Sequence, residues 1–310
     1  MKKFLKNILS FLILLILIIF FSDITLSYFQ NRFSSFKLIE NPKYIILGHS
    51  QSAMAYNDTI ISDLRNLSDL GESYFYTFIK LKKILEHNKT IETIFLEYSS
   101  NQVIDTMDEW IWGFKKMNYR YPKYSSYMNF YENLVLIRNN PIDFLFAYSS
   151  SLRYKLEFFL FNDLNVSNSI GGFRMNKTTS KNEEIINERV IKYESLPVKS
   201  SKKNIEYLIK IINYCKELNV NVVLISSPTL SHNNNKIYLR LLENELSEVA
   251  YFNFSEFPLN HIYFEDNIHL NFEGANLISI WFENLLKIDF VKNQEQRKIL
   301  QEKIKSWKKE

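Results

Sequence analysis

The sequence predicts an α/β fold, a parallel sheet layered between helices, carried on an N-terminal membrane helix and interrupted by a long aromatic-rich insertion. Short β-rich runs alternate with helical patterns. Tyr44 to Leu47, Thr93 to Tyr98 and Asn221 to Ser226 read as strands, and Tyr251 to Phe254 as a fourth, shorter one. Between them Tyr74 to His87, Ile205 to Leu218, Ile237 to Val249 and Glu273 to Leu286 carry apolar residues at helical spacing. Strand then helix, repeated, builds right-handed crossovers and therefore a parallel sheet. Asp58 to Leu64 suits a short helix in the same series.

The N-terminal element follows from composition. Lys2, Lys3 and Lys6 precede an apolar run from Ile8 to Phe21, and Phe20-Phe21-Ser22-Asp23 offers no small-x-small cleavage site. An uncleaved anchor over residues 1–25 is expected, with the lysines cytoplasmic and the remainder outside. A stalk over 26–41 would lead to the main domain at 42–290, whose insertion spans 105–200, and a charged tail would occupy 291–310. The insertion holds Trp110, Trp112, Tyr119, Tyr121, Tyr124, Tyr127 and Tyr131 but no repeated strand-helix rhythm, so a helical lid is expected. Those rings could stack on sugars, although such residues more often form ordinary core.

Composition also removes several classes of function. At 310 residues with 46% hydrophobic and 23% charged residues the chain is globular. Its net charge of +4 is loaded at the two ends rather than along an aromatic-studded basic stripe, which argues against nucleic-acid binding. Cys215 is the single cysteine, so no intrachain disulfide or cysteine metal cluster can form. No metal-ligand cluster, Gly-rich phosphate loop or other cofactor motif stands out.

Two segments carry chemistry. Gly48-His49-Ser50-Gln51-Ser52 directly follows the first strand, and a serine at the carboxyl end of such a strand lies in the crevice where α/β sheets bind ligands. The second glycine of a Gly-x-Ser-x-Gly elbow is missing. Asp266-Asn267-Ile268-His269 stands just before the last main helix; a spacing of three lets the carboxylate meet one imidazole nitrogen while the other serves as base. Among the other histidines, His87, His232 and His261 have no acidic motif beside them. His49 adjoins Ser50, and neighbouring side chains on a turn usually diverge, which makes it a poor base. Ser52 is expected to cap the following helix.

These blocks, in this order, resemble the SGNH (GDSL-type) hydrolase family. Its opening Gly-Asp-Ser-x-Ser is matched by Gly48, Ser50 and Ser52, with His49 in place of the aspartate, and its closing Asp-x-x-His by Asp266 and His269. Gly71 and Asn101 stand where the family has its oxyanion-hole glycine and asparagine; of the Gly-x-Asn-Asp block only the asparagine remains. The resemblance implies a three-layer, flavodoxin-like fold and acyl transfer through Ser50, His269 and Asp266. The anchor makes the chain similar to the membrane-bound branch that includes the D-alanine transfer protein and polysaccharide O-acetylation proteins. That branch implies an acylated glycan of the cell envelope as substrate and a membrane-bound acyltransferase as a partner. An idle triad in a polymer-binding protein is the competing expectation.

Overall fold

The computed structural model describes residues 1–161, 166, 169–176, 199–230, 236–255, 257–288, 290–292 and 296–307. The C-terminal part of the 105–200 insertion (177–198), His232 and the ends of the tail lie outside them. Two compact units are present. One comprises residues 1–36 with 111–166, the other 37–110 with 167–310.

The second unit holds the sheet. Five parallel strands, β1 (Tyr44–Leu47), β2 (Leu64–Asn66), β3 (Thr93–Glu97), β4 (Asn221–Ser226) and β5 (Ala250–Asn253), lie in the order β2-β1-β3-β4-β5. Tyr44 pairs with Leu64 on one side and Thr93 on the other, and β3 continues with Thr93 opposite Asn221. This is the doubly wound order of flavodoxin-like folds, in which ligands bind beyond the carboxyl ends of the strands around the switch between β1 and β3. Ile45, Ile46, Leu47 and all of β3 are buried, as a sheet covered on both faces requires.

Helices supply the two covers. After β1 comes α2 (Ser50–Ala55), and α3 (Tyr74–His87) links β2 to β3. α9 (Lys202–Glu217) precedes β4, α10 (Lys236–Asn244) lies between β4 and β5, and α11 (Phe272–Lys287) closes the sheet. α3 lies against α9 through Phe75 and Tyr207, whose ring centroids are 4.7 Å apart. On the other face Phe282 of α11 packs against Phe95 and Tyr56, inside a core that includes Ile46, Phe252, Phe254 and Leu285. Cys215 is part of the buried interior.

One element differs from expectation. In place of the expected helix over 58–64, residues 58–63 form turns and a bend, and β2 begins at Leu64. Asp63 adopts a left-handed φ of 57°, and Asp58 bonds ahead, accepting the Asn66 N–H at 3.0 Å while pairing with Arg65 at 3.3 Å. A carboxylate that bonds the backbone eight residues on competes with helix. The three-residue strand is too short to show a period.

The first unit is helical. α1 (Lys2–Phe33) extends through the first part of the expected stalk, and its apolar side chains from Phe4 to Phe21 are exposed. Its mean hydropathy reaches 2.7, and it is long and apolar enough to cross a membrane. α4 (Ser100–Val103) belongs to the second unit and α5 (Asp108–Trp112) spans the boundary; within the first unit follow α6 (Lys116–Tyr124), α7 (Phe130–Asn139) and α8 (Pro141–Phe161). α8 lies along α1: Phe29 meets Phe158 and Phe159, and the buried Lys155 ammonium pairs with Asp23 at 2.6 Å. Tyr121, Tyr124 and Tyr127 are buried as core, whereas Tyr119 and Tyr131 are exposed. The charged tail contributes α12 (Gln296–Trp307), whose Trp307 packs on Phe257.

Candidate active site

Ser50 is the first residue of α2, immediately beyond β1. The chain can make this turn because residue 48 is glycine. A β-carbon there would overlap that of Glu97 at the end of β3 and lie 2.6 Å from its carboxylate. Asn66 then staples α2 to β2, its amide donating to the carbonyls of Ser52 at 3.0 Å and Tyr56 at 2.7 Å. The hydroxyl of Ser50 is thus carried on a fixed backbone, half-buried at the carboxyl edge of the sheet.

His269 arrives from the opposite end of the chain. Its Nε2 lies 2.7 Å from Ser50 Oγ, and its Nδ1 lies 2.9 Å from Asp266 Oδ2. Asp266 Oδ1 accepts the backbone N–H groups of Ile268 and His269, both at 2.9 Å, so one carboxylate shapes the loop and orients the ring together. The loop is closed by the Glu265 N–H donating to His269 O at 2.9 Å and by Asn271, which caps α11 by accepting from Gly274 N–H at 3.0 Å. An acceptor at Nδ1 keeps the proton there and leaves Nε2 bare toward the serine. Burial alone would push the imidazole pKa down. The hydrogen bond and charge of Asp266, with smaller contributions from Glu97 and Glu265, outweigh it and raise the pKa above 6.5. Asp266 shows the reciprocal effect: burial raises it, but His269 and the two backbone N–H groups hold it below the usual carboxylate value.

Gly71 and Asn101 follow β2 and β3, the strands that flank β1, so their loops leave the same edge of the sheet as Ser50. Gly71 has φ of +66°, and the indole of Trp110 occupies the space a side chain would need. The segment is tied to the Gly48–Ser50 loop by the Asp69 N–H, which donates to Gly48 O at 3.1 Å. Asn101 lies in α4, partly buried. Among the described residues neither the Gly71 N–H nor the Asn101 amide forms a hydrogen bond.

Three features at this edge escaped the sequence reading. His49, expected to turn away, places Nδ1 at 3.3 Å from Ser50 Oγ. It is also the cap of α2, its ring accepting from the Gln51 N–H, so Ser52 does not fill that position. Behind it Glu97, fully buried, contacts His49 Nε2 at 3.0 Å and accepts the backbone N–H groups of His49 at 3.1 Å and Ser52 at 2.8 Å. Burial pushes the Glu97 carboxyl up, but His49 and the hydrogen bond from the Ser52 backbone N–H bring it below its usual value. The available signal was a glutamate ending an otherwise apolar buried strand, since a fully buried charge requires partners.

The third feature is a strap, residues 170–176. Buried Lys80, paired with buried Glu72, donates to Ile170 O at 2.9 Å and to Leu67 O at 2.6 Å. Gly172 N–H reaches Ser68 O at 2.9 Å, Arg174 N–H reaches Ala53 O at 2.7 Å, and Phe272 N–H reaches Asn176 O at 2.6 Å. The strap therefore ties the loop after β2, helix α2 and the start of α11 together beside the candidate site.

No family model matches the sequence, and no curated protein matches it. Among solved structures the chain is similar to a protein of Bacteroides fragilis NCTC 9343 provisionally named an acylhydrolase, at 10% identity and a TM-score of 0.35, over 88% of this chain and 95% of that one. A likeness at that level carries no weight for the site, whose chemistry is read from its own geometry.

Proposed function

We propose that the protein is a membrane-anchored serine hydrolase or acyltransferase in which Ser50 is the nucleophile, His269 its base and Asp266 the residue that orients that base. The observation that carries this is the unbroken line from Asp266 Oδ2 through His269 to Ser50 Oγ, with a hydrogen bond of 2.9 Å inside the Asp266–His269 loop and one of 2.7 Å to a serine 219 positions away in sequence. Ser50 Oγ attacks an ester carbonyl as its proton passes to His269 Nε2; His269 then protonates the leaving alcohol, and an acyl-serine remains. Water as the next acceptor makes an esterase, and a sugar hydroxyl makes a transferase. The uncommitted N–H of Gly71 and amide of Asn101 are the proposed oxyanion donors, together with the Ser50 N–H.

The substrate class proposed is an acyl ester of a cell-envelope polysaccharide. Support comes from α1, which would anchor the chain with the sheet domain on the extracytoplasmic side, and from the resemblance of the Ser50 and His269 blocks to envelope-acting SGNH proteins. A membrane acyltransferase would be the source of acyl groups if the reaction is transfer. The test is complementation in a strain lacking the protein, read as the ester-linked acyl content of its envelope polymer. Loss of complementation by Ser50→Ala is expected; full complementation by that variant would mean that the domain binds rather than reacts.

A further inference from the structure

Ser50 Oγ faces two imidazole nitrogens, not one. His269 Nε2 is at 2.7 Å and His49 Nδ1 at 3.3 Å, and each ring has a carboxylate beside its far nitrogen, Asp266 hydrogen-bonded in the first case and Glu97 in ionic contact in the second. The protonation of the His49 ring follows from its neighbours. Its Nε2 lies 3.0 Å from Glu97 Oε1, a negative oxygen whose charge favours a proton on Nε2 although the two are not aligned as a hydrogen bond. Ser99 Oγ, also 3.0 Å away, can accept from it as well. Nδ1 is then bare, in agreement with the Gln51 N–H that points at it from 3.4 Å. A bare imidazole nitrogen beside the Ser50 hydroxyl, on a ring with a carboxylate close to its far nitrogen, parallels the His269 arm, although Asp266 is hydrogen-bonded to its ring and Glu97 Oε1 is only in ionic contact with His49.

We propose that His49, held by Glu97, is a second base for Ser50, able to take the hydroxyl proton when His269 does not. Glu97 is a positioning residue: it fixes the tautomer of His49 while its other oxygen, bonded to the His49 and Ser52 N–H groups, locks the turn that presents Ser50. In this route the Ser50 O–H bond breaks, the proton joins His49 Nδ1, and the Oγ electron pair attacks. The resulting imidazolium keeps its Nε2 proton against Glu97. The inference rests on Ser50 being the nucleophile.

The experiment uses the full chain in detergent with a fluorophosphonate probe. Ser50 Oγ bonds to phosphorus, the P–F bond breaks and fluoride leaves. Labelling rates are compared for the native protein, Ser50→Ala, His269→Ala, Glu97→Gln and the His269→Ala/Glu97→Gln double variant. Glutamine keeps the shape of Glu97, but its amide N–H₂ would face His49 Nε2 and drive the ring proton to Nδ1, turning an acceptor into a donor. His269→Ala is expected to label measurably faster than Ser50→Ala. Glu97→Gln should slow labelling at least about tenfold more in the His269→Ala background than in the otherwise native chain, the non-additivity of groups sharing one task. Nitrogen chemical shifts should show His49 Nδ1 bare in the native protein and protonated in Glu97→Gln. Equal slowing in both backgrounds would reduce the pair to a support of the fold, and either a His269→Ala rate at the Ser50→Ala background or a protonated Nδ1 in the neutral native ring would overturn the second base. A native chain that does not label at all would instead remove the nucleophile itself.

Discussion

Asp266 does two jobs with its two oxygens, and the consequences of replacing it separate them. Asp266→Asn keeps an oxygen for the Ile268 and His269 N–H groups, so the loop should stay folded, but its amide would favour the wrong tautomer of His269. Hydrolysis of p-nitrophenyl acetate should fall by about 10⁴-fold, as such a tautomer error costs in a serine triad. His269 must be neutral to act, and its pKa is raised, so the native rate should decline as pH falls through a value above 6.5. Removing the Asp266 charge should move that limb to lower pH; a limb that does not move would show that Asp266 does not act on His269. The stability linkage has its own sign. The raised His269 contributes stability that is full below 6.5 and lost as pH rises through its folded value, while the lowered Asp266 contributes above 3.8 and loses it as pH falls through its own. The pair therefore supports the fold most in mildly acidic solution. Asn101→Ala should cost about a hundredfold to a thousandfold in rate if its amide meets the oxyanion. Ser52→Ala should be mild, because Ser52 meets Glu97 through a backbone N–H that alanine retains.

Between the elements, the buried Lys80–Glu72 pair links α3, the loop after β2 and the strap at residues 170–176. Lys80→Met would leave the Glu72 charge and two carbonyls without their cation. Unfolding in denaturant should show a loss of about 3–5 kcal/mol, whereas Lys80→Met/Glu72→Met, which removes both charges, should recover much of it. Equal stability of the single variant and the native chain would contradict this. The strap also marks the limit of what the sequence discloses. β1, β3 and β4 were legible because each is a short apolar run ended by glycine, serine or a polar residue, and α3, α9 and α11 because their apolar faces repeat at helical spacing. β2 was not, since Leu64-Arg65-Asn66 is too short to show a period and Asp58 mimics a helix start. The strap has no pattern at all; its backbone bonds to Ser68, Ala53 and Phe272 are long-range and leave no trace in local sequence. The convergence of Ser50, His269 and Asp266 could be expected because proton transfer, the chemistry proposed for them, demands those residue types in recognisable spacings. The His49–Glu97 pair joins residues 48 positions apart, with nothing in the intervening spacing to connect them.

For the chain as a whole, the point at which α1 passes from the proposed anchor into the helical unit matters to its handling. Asp23 pairs with buried Lys155, and Gln30 accepts from Ser126 Oγ at 2.6 Å, so α1 from Asp23 onward belongs to the helical unit. Deleting residues 1–21 should therefore release a folded, soluble chain, while deleting 1–30 should leave Lys155 unpaired and lower the melting temperature of the helical unit. The native chain should remain with membranes through carbonate extraction, and its release into the supernatant would contradict an anchoring α1. Location, fold and edge chemistry meet in one claim, that Ser50 is a nucleophile. Its most direct test is to expose the full chain in detergent to a fluorophosphonate and map the adduct by mass spectrometry. The account predicts a single phosphonylated residue, Ser50, lost in Ser50→Ala and strongly slowed in His269→Ala; an unmodified chain, or an adduct on any other residue with Ser50 untouched, would contradict it.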